Sequence, residues 1–382
     1  MRTGFIGLVL AAQLLAACGD QHATTAAPHD EAPLLAAAGA VEHQYIVVLQ
    51  EGANPRAVAA VAGVSPRFVY TSALTGFAAT LNQGQLTALR HHPAVRYVEQ
   101  DQRGSVIARI TGYAYSWGLD RIDQRALPLS GTYTYQTSGV TVYAYVIDTG
   151  LQSDHNGFGG RAQNVWDYSG GDGEDCYGHG TRVAGIIGGD KVGVMRSVQL
   201  RGVRIADCNG ETMASWAIAG VEWVLQNHVK PAVANISMIY RHSDALNEAV
   251  TAMHNARVFT VVGAGNSNGD ACTRSPQGAS GVMVVAASDS TDTRPWWSNH
   301  GPCVDIYAPG VDIRSLKLNG STILDSGTSM AAPHVAGVAA ALKRWGDISN
   351  STLTSQILTS ATPDVIQLNV AGTPNRLVYI SQ

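Results

Sequence analysis

Three observations predict an α/β fold for this 382-residue chain: a parallel sheet with helices on both faces, preceded by a small α+β domain. First, beyond Trp117 short apolar runs alternate with helical stretches, as buried parallel strands joined by helices do. Second, residues 43–107 carry their own strand-helix-strand-strand-helix-strand pattern, the split βαβ or ferredoxin-like arrangement. Third, from Met330 to Leu342 nearly every side chain is small or apolar, which reads as a helix buried on all sides. A chain of this length that is 45% hydrophobic can bury a large core and more than one domain. Its formal net charge of -4 implies no polyanion, so no nucleic-acid partner is expected.

The N-terminus reads as a targeting segment. Arg2 precedes the apolar run Phe5–Leu15, which is too short to span a bilayer, and Leu15-Ala16-Ala17-Cys18 closes it. Residues 1–18 therefore read as a signal peptide. Its end is similar to a bacterial lipoprotein signal, in which Cys18 would be lipidated; ordinary cleavage nearby is the alternative. Without Cys18 the count of cysteines is an even four, which suits two disulfides in an exported protein. Residues 19–42, Ala-rich with Pro28 and Pro33, read as a linker.

The small domain follows. Tyr45–Leu49, Phe68–Tyr70, Gly76–Leu81 and Val95–Glu99 are its strand runs, with helices over Arg56–Ala62 and Gln85–His91. It is too small to hold a deep site. Gly104–Ser116 lacks periodicity and reads as a joint. Beyond it, Val140–Ile147, Val233–Ile236, Val258–Val262 and Val282–Ala287 read as buried strands, with helices over Ser215–His228 and Asp244–Ala256. Functional groups in such folds sit at the carboxyl ends of strands.

Three short segments carry chemistry. Asp148, in Asp148-Thr149-Gly150, ends the first of these strands. His179, in Gly178-His179-Gly180-Thr181, opens an apolar helix over Val183–Ile187. Ser329, in Ser326-Gly327-Thr328-Ser329-Met330, enters the buried helix, with Pro333 expected in its first turn. Singly, these would be a turn aspartate, a loop histidine and a helix-capping serine. Together they supply a nucleophile, a base that works near neutral pH, and a carboxylate to fix the imidazole tautomer. The chain order Asp, His, Ser is the one found in subtilisin.

These segments resemble the subtilisin-like serine proteases (peptidase S8), and more closely the proteinase K branch with its aqualysin-like bacterial enzymes. The resemblance runs from about Trp117 to the C-terminus and includes Trp117-Gly118-Leu119-Asp120-Arg121-Ile122-Asp123-Gln124 and Pro374-Asn375-Arg376-Leu377. It implies a catalytic domain over 108–382, with Asp148, His179 and Ser329 as the triad. Asn266, in Gly263-Ala264-Gly265-Asn266, would be the oxyanion-hole amide. Residues 43–107 resemble the inhibitor I9-type propeptide, a chaperone and intramolecular inhibitor removed by a cut within Gly104–Gly112. The expected function is an exported, self-processing serine endopeptidase acting on polypeptides as a monomer. It would be secreted or periplasmic in a bacterium, with a membrane link only through lipid on Cys18 of the precursor. The alternatives are a binding protein of the same fold with an obstructed cleft, and an esterolytic or acyl-transferring enzyme.

The spacings of Cys176 with Cys208 and of Cys272 with Cys303 resemble the two aqualysin disulfides. Other pairings, free thiols and a metal role for Cys176 stay open on sequence alone. No cofactor is expected for catalysis. Structural Ca²⁺ is implied at Asp120, Asp123, Gln124, Ser130 and Thr132, and at Asp305 with backbone carbonyls near Ser280 and Val282. The chain also departs from the family. Arg182 replaces a histidine, placing a positive charge where it would disfavour the His179 imidazolium. Thr212 replaces a glycine on one cleft strand, and Met238-Ile239-Tyr240 stands where the facing strand has glycines. Added bulk there implies narrow specificity, with small or medium residues preferred.

Overall fold

The computed structural model describes residues 31–36, 40–71, 75–102, 109–113 and 115–381. The expected signal peptide, Cys18 and the Gly104–Ala108 part of the expected processing stretch lie outside these residues. The chain forms two compact units, Met1–Ser105 and Val106–Gln382.

In the first unit the elements run Ala40–Leu49 (strand), Pro55–Val61 (helix), Phe68–Tyr70 and Gly76–Thr80 (strands), Gln83–Arg90 (helix) and Val95–Gln102 (strand). Asn54 caps the first helix by accepting from Arg56 N and Ala57 N, with Pro55 just inside. Asn82 and Gln85 cap the second reciprocally. Both helices cover one sheet face, burying Val47, Leu49, Phe77, Leu86, Leu89 and Val98. One strand was not expected. Leu34–Leu35 lies parallel to Val98–Glu99, so the stretch read as a linker up to residue 42 partly belongs to the sheet. Two leucines in an alanine-rich run are too short a pattern to signal a strand.

In the second unit a nine-stranded sheet is the frame. Its seven main strands, in spatial order, are Ile306–Pro309, Met283–Ser288, Val258–Gly263, Ala232–Ile236, Tyr143–Asp148, Gln199–Arg204 and Ala162–Asp167, all parallel. Alternate side chains of each strand go to opposite faces. Ala144, Val146, Val233, Phe259 and Val261 join the core under the helices His179–Gly188 and Thr328–Lys343. Tyr145, Ile147, Ala234, Ile236 and Val262 join the other, under Ala214–Asn227 and Asp244–Asn255. Burial on both faces explains the continuous apolar runs.

The first of these strands starts later than expected, at Tyr143. Val140 is half exposed, and its N–H goes to Arg344 O rather than into the ladder. The chain moves one way from Tyr143–Asp148, to Ala162–Asp167 and Gln199–Arg204. It then returns to the other side with Ala232–Ile236. Asp148 therefore ends the strand at which the winding reverses, where open α/β sheets form their clefts.

Candidate active site

Asp148 is fully buried. Its Oδ1 accepts from Thr149 N (2.8 Å) and from His179 Nδ1 (2.7 Å). A carboxylate can only accept, so the imidazole carries its proton on Nδ1 in this pair. His179 Nε2 has no partner among the described residues.

His179 is the first residue of its helix, and Asp175 holds that helix start. One Asp175 oxygen accepts from Tyr177 N, Gly178 N and Thr149 Oγ1, and the other from Thr181 N and Thr181 Oγ1. An acid here satisfies orphan amides and faces the positive helix end. Thr149 Oγ1 in turn accepts from Gly180 N, tying the helix start to the end of the Asp148 strand. Gly180 has no room for a side chain: a Cβ there would lie 2.1 Å from Gly150 O.

The His179 pKa stands above the ordinary histidine value. Burial is the largest influence and pulls it down, but the charge and hydrogen bond of Asp148 outweigh it. Arg182 pulls down and Asp325 pulls up. The expected penalty from Arg182 is thus blunted, because Arg182 Nε pairs with Asp325 Oδ2 at 2.8 Å.

Ser329 is the second residue of the helix Thr328–Lys343. Pro333 lies in the second turn, not the first, so the Ser329 carbonyl receives no N–H from four residues on. Ser237 Oγ, itself accepting from Asn235 Nδ2, donates to that carbonyl instead (3.3 Å). In return Ser329 Oγ donates to Ser237 O at 3.3 Å, a long bond for a hydroxyl. Among the described residues no hydrogen bond joins Ser329 to His179.

Asn266 follows the strand Val258–Gly263. Its Oδ1 accepts from Thr328 N and Thr328 Oγ1, each at 2.9 Å. Those bonds turn Nδ2 toward Gly327, where a Cβ would come within 3.2 Å of it. The Ser329 N–H belongs to the first helical turn, which no earlier turn can satisfy.

A pocket of about 420 Å³ opens beside Ser329 and Asn266, lined also by Ser237, Met238, Ile239, Tyr240, Arg241 and Arg274. Ile239 leans over Gly265: a Cβ on that glycine would sit 2.4 Å from Ile239 Cδ1. Tyr240 turns the other way. Its hydroxyl meets Thr212 Oγ1 at 2.9 Å, and Thr212 Oγ1 also donates to Ile205 O. The bulky replacements expected on the two cleft strands thus touch each other. Burial pushes the Tyr240 phenol up to about 12, so it stays neutral.

The cysteines pair as Cys176–Cys208 and Cys272–Cys303, which removes a metal role for Cys176. The first bridge fastens the approach to His179 to the loop leading to Thr212. Farther off, the turn after Trp117–Ile122 gathers oxygen donors. Asp120 Oδ1 accepts from Ser130 N and Oγ, Oδ2 from Gly131 N, and Gln124 Oε1 from Ser130 N. Ser130 Oγ and Thr132 Oγ1 are 2.8 Å apart. Burial, with Asp120 adding to it, pushes the Asp123 carboxyl up to about 6 against the lowering effect of the Thr134 N–H. Arg121 is turned to Asp292. Asp305 Oδ2 accepts from Val284 N, and burial pushes this carboxyl too up to about 6.

Sequence reasoning missed Asp175, Ser237, Thr328 and Asp325 around the site, and the two pocket arginines. An acid four residues before His179, at a helix start, was a legible capping signal. Ser237 and Asp325 come from segments remote in the chain and left no local trace.

Known proteins resemble both units of the chain. Residues 138–378 match the model of the subtilase family, and residues 44–105 match that of the peptidase inhibitor I9. The chain is 42% identical to an extracellular serine proteinase of Thermus sp. (strain Rt41A), over 99% of each chain. It is 43% identical to alkaline serine exoprotease A of Vibrio alginolyticus, over 81% of this chain and 59% of that one. A crystal structure of a cold adapted subtilisin-like serine proteinase superposes with a TM-score of 0.68 at 43% identity, covering 70% of this chain and 98% of the other.

Proposed function

Because the chain belongs to the subtilase family, we propose residue roles for its chemistry and a course for its maturation. The chain is a subtilisin-like serine proteinase with an N-terminal inhibitor I9 domain, and its relatives are extracellular. The observation that supports the assignment of roles best is the His179–Asp148 pair. Buried Asp148 holds Nδ1 at 2.7 Å, which leaves Nε2 at a helix start with no partner among the described residues.

In this reading Ser329 Oγ swings from its weak bond with Ser237 O to His179 Nε2 when substrate arrives. His179 takes the proton as Ser329 attacks the scissile carbonyl, and then gives it to the leaving amine. Asp148 keeps the tautomer fixed and stabilises the imidazolium. Asn266 Nδ2 and Ser329 N donate to the oxyanion. Water then releases the acyl group with His179 as base. Thr212, Met238, Ile239 and Tyr240 line the cleft and narrow the choice of substrate.

The domains are read as a signal peptide over 1–18, a linker from 19 whose end up to 42 joins the small domain's sheet through Leu34–Leu35 and from Ala40 on, a propeptide over 43–107 that inhibits until cut, and the catalytic domain over 108–382. Lipid on Cys18 would tether only the precursor. Calcium, if bound, is structural. The hard oxygens of Asp120, Asp123, Gln124, Ser130 and Thr132 suit it, since among the described residues Asp120 and Asp123 have no ion pair. Asp305 would hold a second ion. Ser329→Ala expressed in a protease-free host tests self-processing. The expected product is the uncut precursor, and a mature-length product from this variant would sink the idea.

A further inference from the structure

We propose that the pocket beside Ser329 is an acid-selecting subsite, in which Arg241 and Arg274 hold the side-chain carboxylate of a glutamate or aspartate on the acyl side of the scissile bond. The proposal rests on Ser329 being the nucleophile, since that fixes which side chain enters the pocket.

Tyr240–Arg241 pairs antiparallel with Arg274–Ser275, and the register sets Arg241 directly opposite Arg274. Directly opposed residues project to the same face of a ladder, and like charges in that relation repel. Five arginines of this unit face a carboxylate: Arg121 with Asp292, Arg161 with Asp190, Arg182 with Asp325, Arg204 with Asp167 and Arg257 with Asp347. Arg241 and Arg274 do not. Among the described residues neither guanidinium has a hydrogen bond, an ion pair or a ring contact. A chain with net charge -4 thus leaves two cations facing each other without a counter-charge, on the wall of the pocket that also holds Asn266 and Ser329.

The ladder is braced from behind. Ser275 is fully buried, and its hydroxyl accepts from Ser243 N and donates to Ser243 O. Gly278 N donates to Arg274 O. The backbone carrying the two arginines is therefore fixed, and the cost of setting the charges side by side is met in folding. An entering carboxylate relieves the repulsion and accepts charge-assisted, fork-shaped hydrogen bonds. Arg274 is partly buried, which strengthens that attraction on its side, while Arg241 is exposed. Ile239, leaning over Gly265, leaves room for a medium side chain. The stretch Gly104–Gly112 contains no acidic residue, so self-processing would use a poor side chain, offset by the high effective concentration of a tethered substrate.

The test compares kcat/KM of the matured full chain on peptides identical except for Glu, Gln, Ala or Phe before the scissile bond. Glu is expected to exceed Gln about tenfold or more, a gap worth about 1.4 kcal/mol, and the gap should shrink with added salt. In Arg241→Gln and in Arg274→Gln the Glu-to-Gln ratio should fall toward one. Equal rates on Glu and Gln, or a ratio unchanged in both variants, would overturn the proposal. Labelling of Ser329 by a fluorophosphonate separates the two failures. Labelling without a Glu preference overturns only this subsite, whereas absent labelling removes the nucleophile and the subsite together.

Discussion

Ser329 and Ser237 bond to each other twice, hydroxyl to carbonyl in both directions, each at 3.3 Å. Pro333 is the cause, because its missing N–H leaves the Ser329 carbonyl open. The segment after Ala232–Ile236 and the helix Thr328–Lys343 are thereby linked at the residue proposed as the nucleophile. Ser237→Ala should leave a carbonyl unpaired at a cost of about 1–3 kcal/mol if water does not replace the partner. The expected outcome is a lower melting temperature together with a lower kcat. Unchanged values of both would show that the link is incidental.

The pH profile should respond to the Arg182–Asp325 pair. The proposed mechanism needs neutral His179, so activity should rise as pH climbs through its elevated pKa. Arg182 opposes the imidazolium, so Arg182→Gln should raise that pKa and move the acid limb to higher pH. Asp325→Asn should move it to lower pH, and the double variant should lie between. Opposite shifts of kcat/KM against pH are the signature; shifts in one direction for both single variants would contradict it.

Asn266→Ala should lower kcat by about 10²–10³, a magnitude borrowed from the oxyanion-hole asparagine of subtilisin. KM should change far less, because the bond forms in the transition state. An equal loss in KM alone would place Asn266 in substrate binding instead.

Calcium and pH should act together on stability. Burial pushes the Asp123 and Asp305 carboxyls up to about 6 in the folded chain, above the ordinary aspartate range. Without metal the native state binds more protons than the unfolded one between about pH 4 and 6, so these groups lower stability as pH rises through that window. Calcium requires ionised carboxylates. Its addition should therefore raise the melting temperature at pH 8 and do little at pH 4.5. An equal effect at both values would place calcium away from these residues.

The fold was legible where burial is two-sided. Short runs rich in β-branched residues, such as Val258–Val262, read as interior strands, and Asp148, His179 and Ser329 each stand at an element end. The edge strand Leu34–Leu35 was not legible, because two leucines carry no period. Nor could local sequence reveal that Arg241 faces Arg274, that Asp325 meets Arg182, or that Ser237 answers the gap left by Pro333. Those relations join segments separated by the whole winding of the sheet, and only the register brings them together.

Ser329 is proposed as a nucleophile activated by His179, whose ring Asp148 orients. Peptide mapping after treatment of the folded, matured chain with a serine-directed fluorophosphonate tests it most directly. The account predicts a single adduct on Ser329, abolished by unfolding and slowed severely in His179→Ala. An active chain that carries no adduct on Ser329, or labels there equally fast without His179, would contradict it.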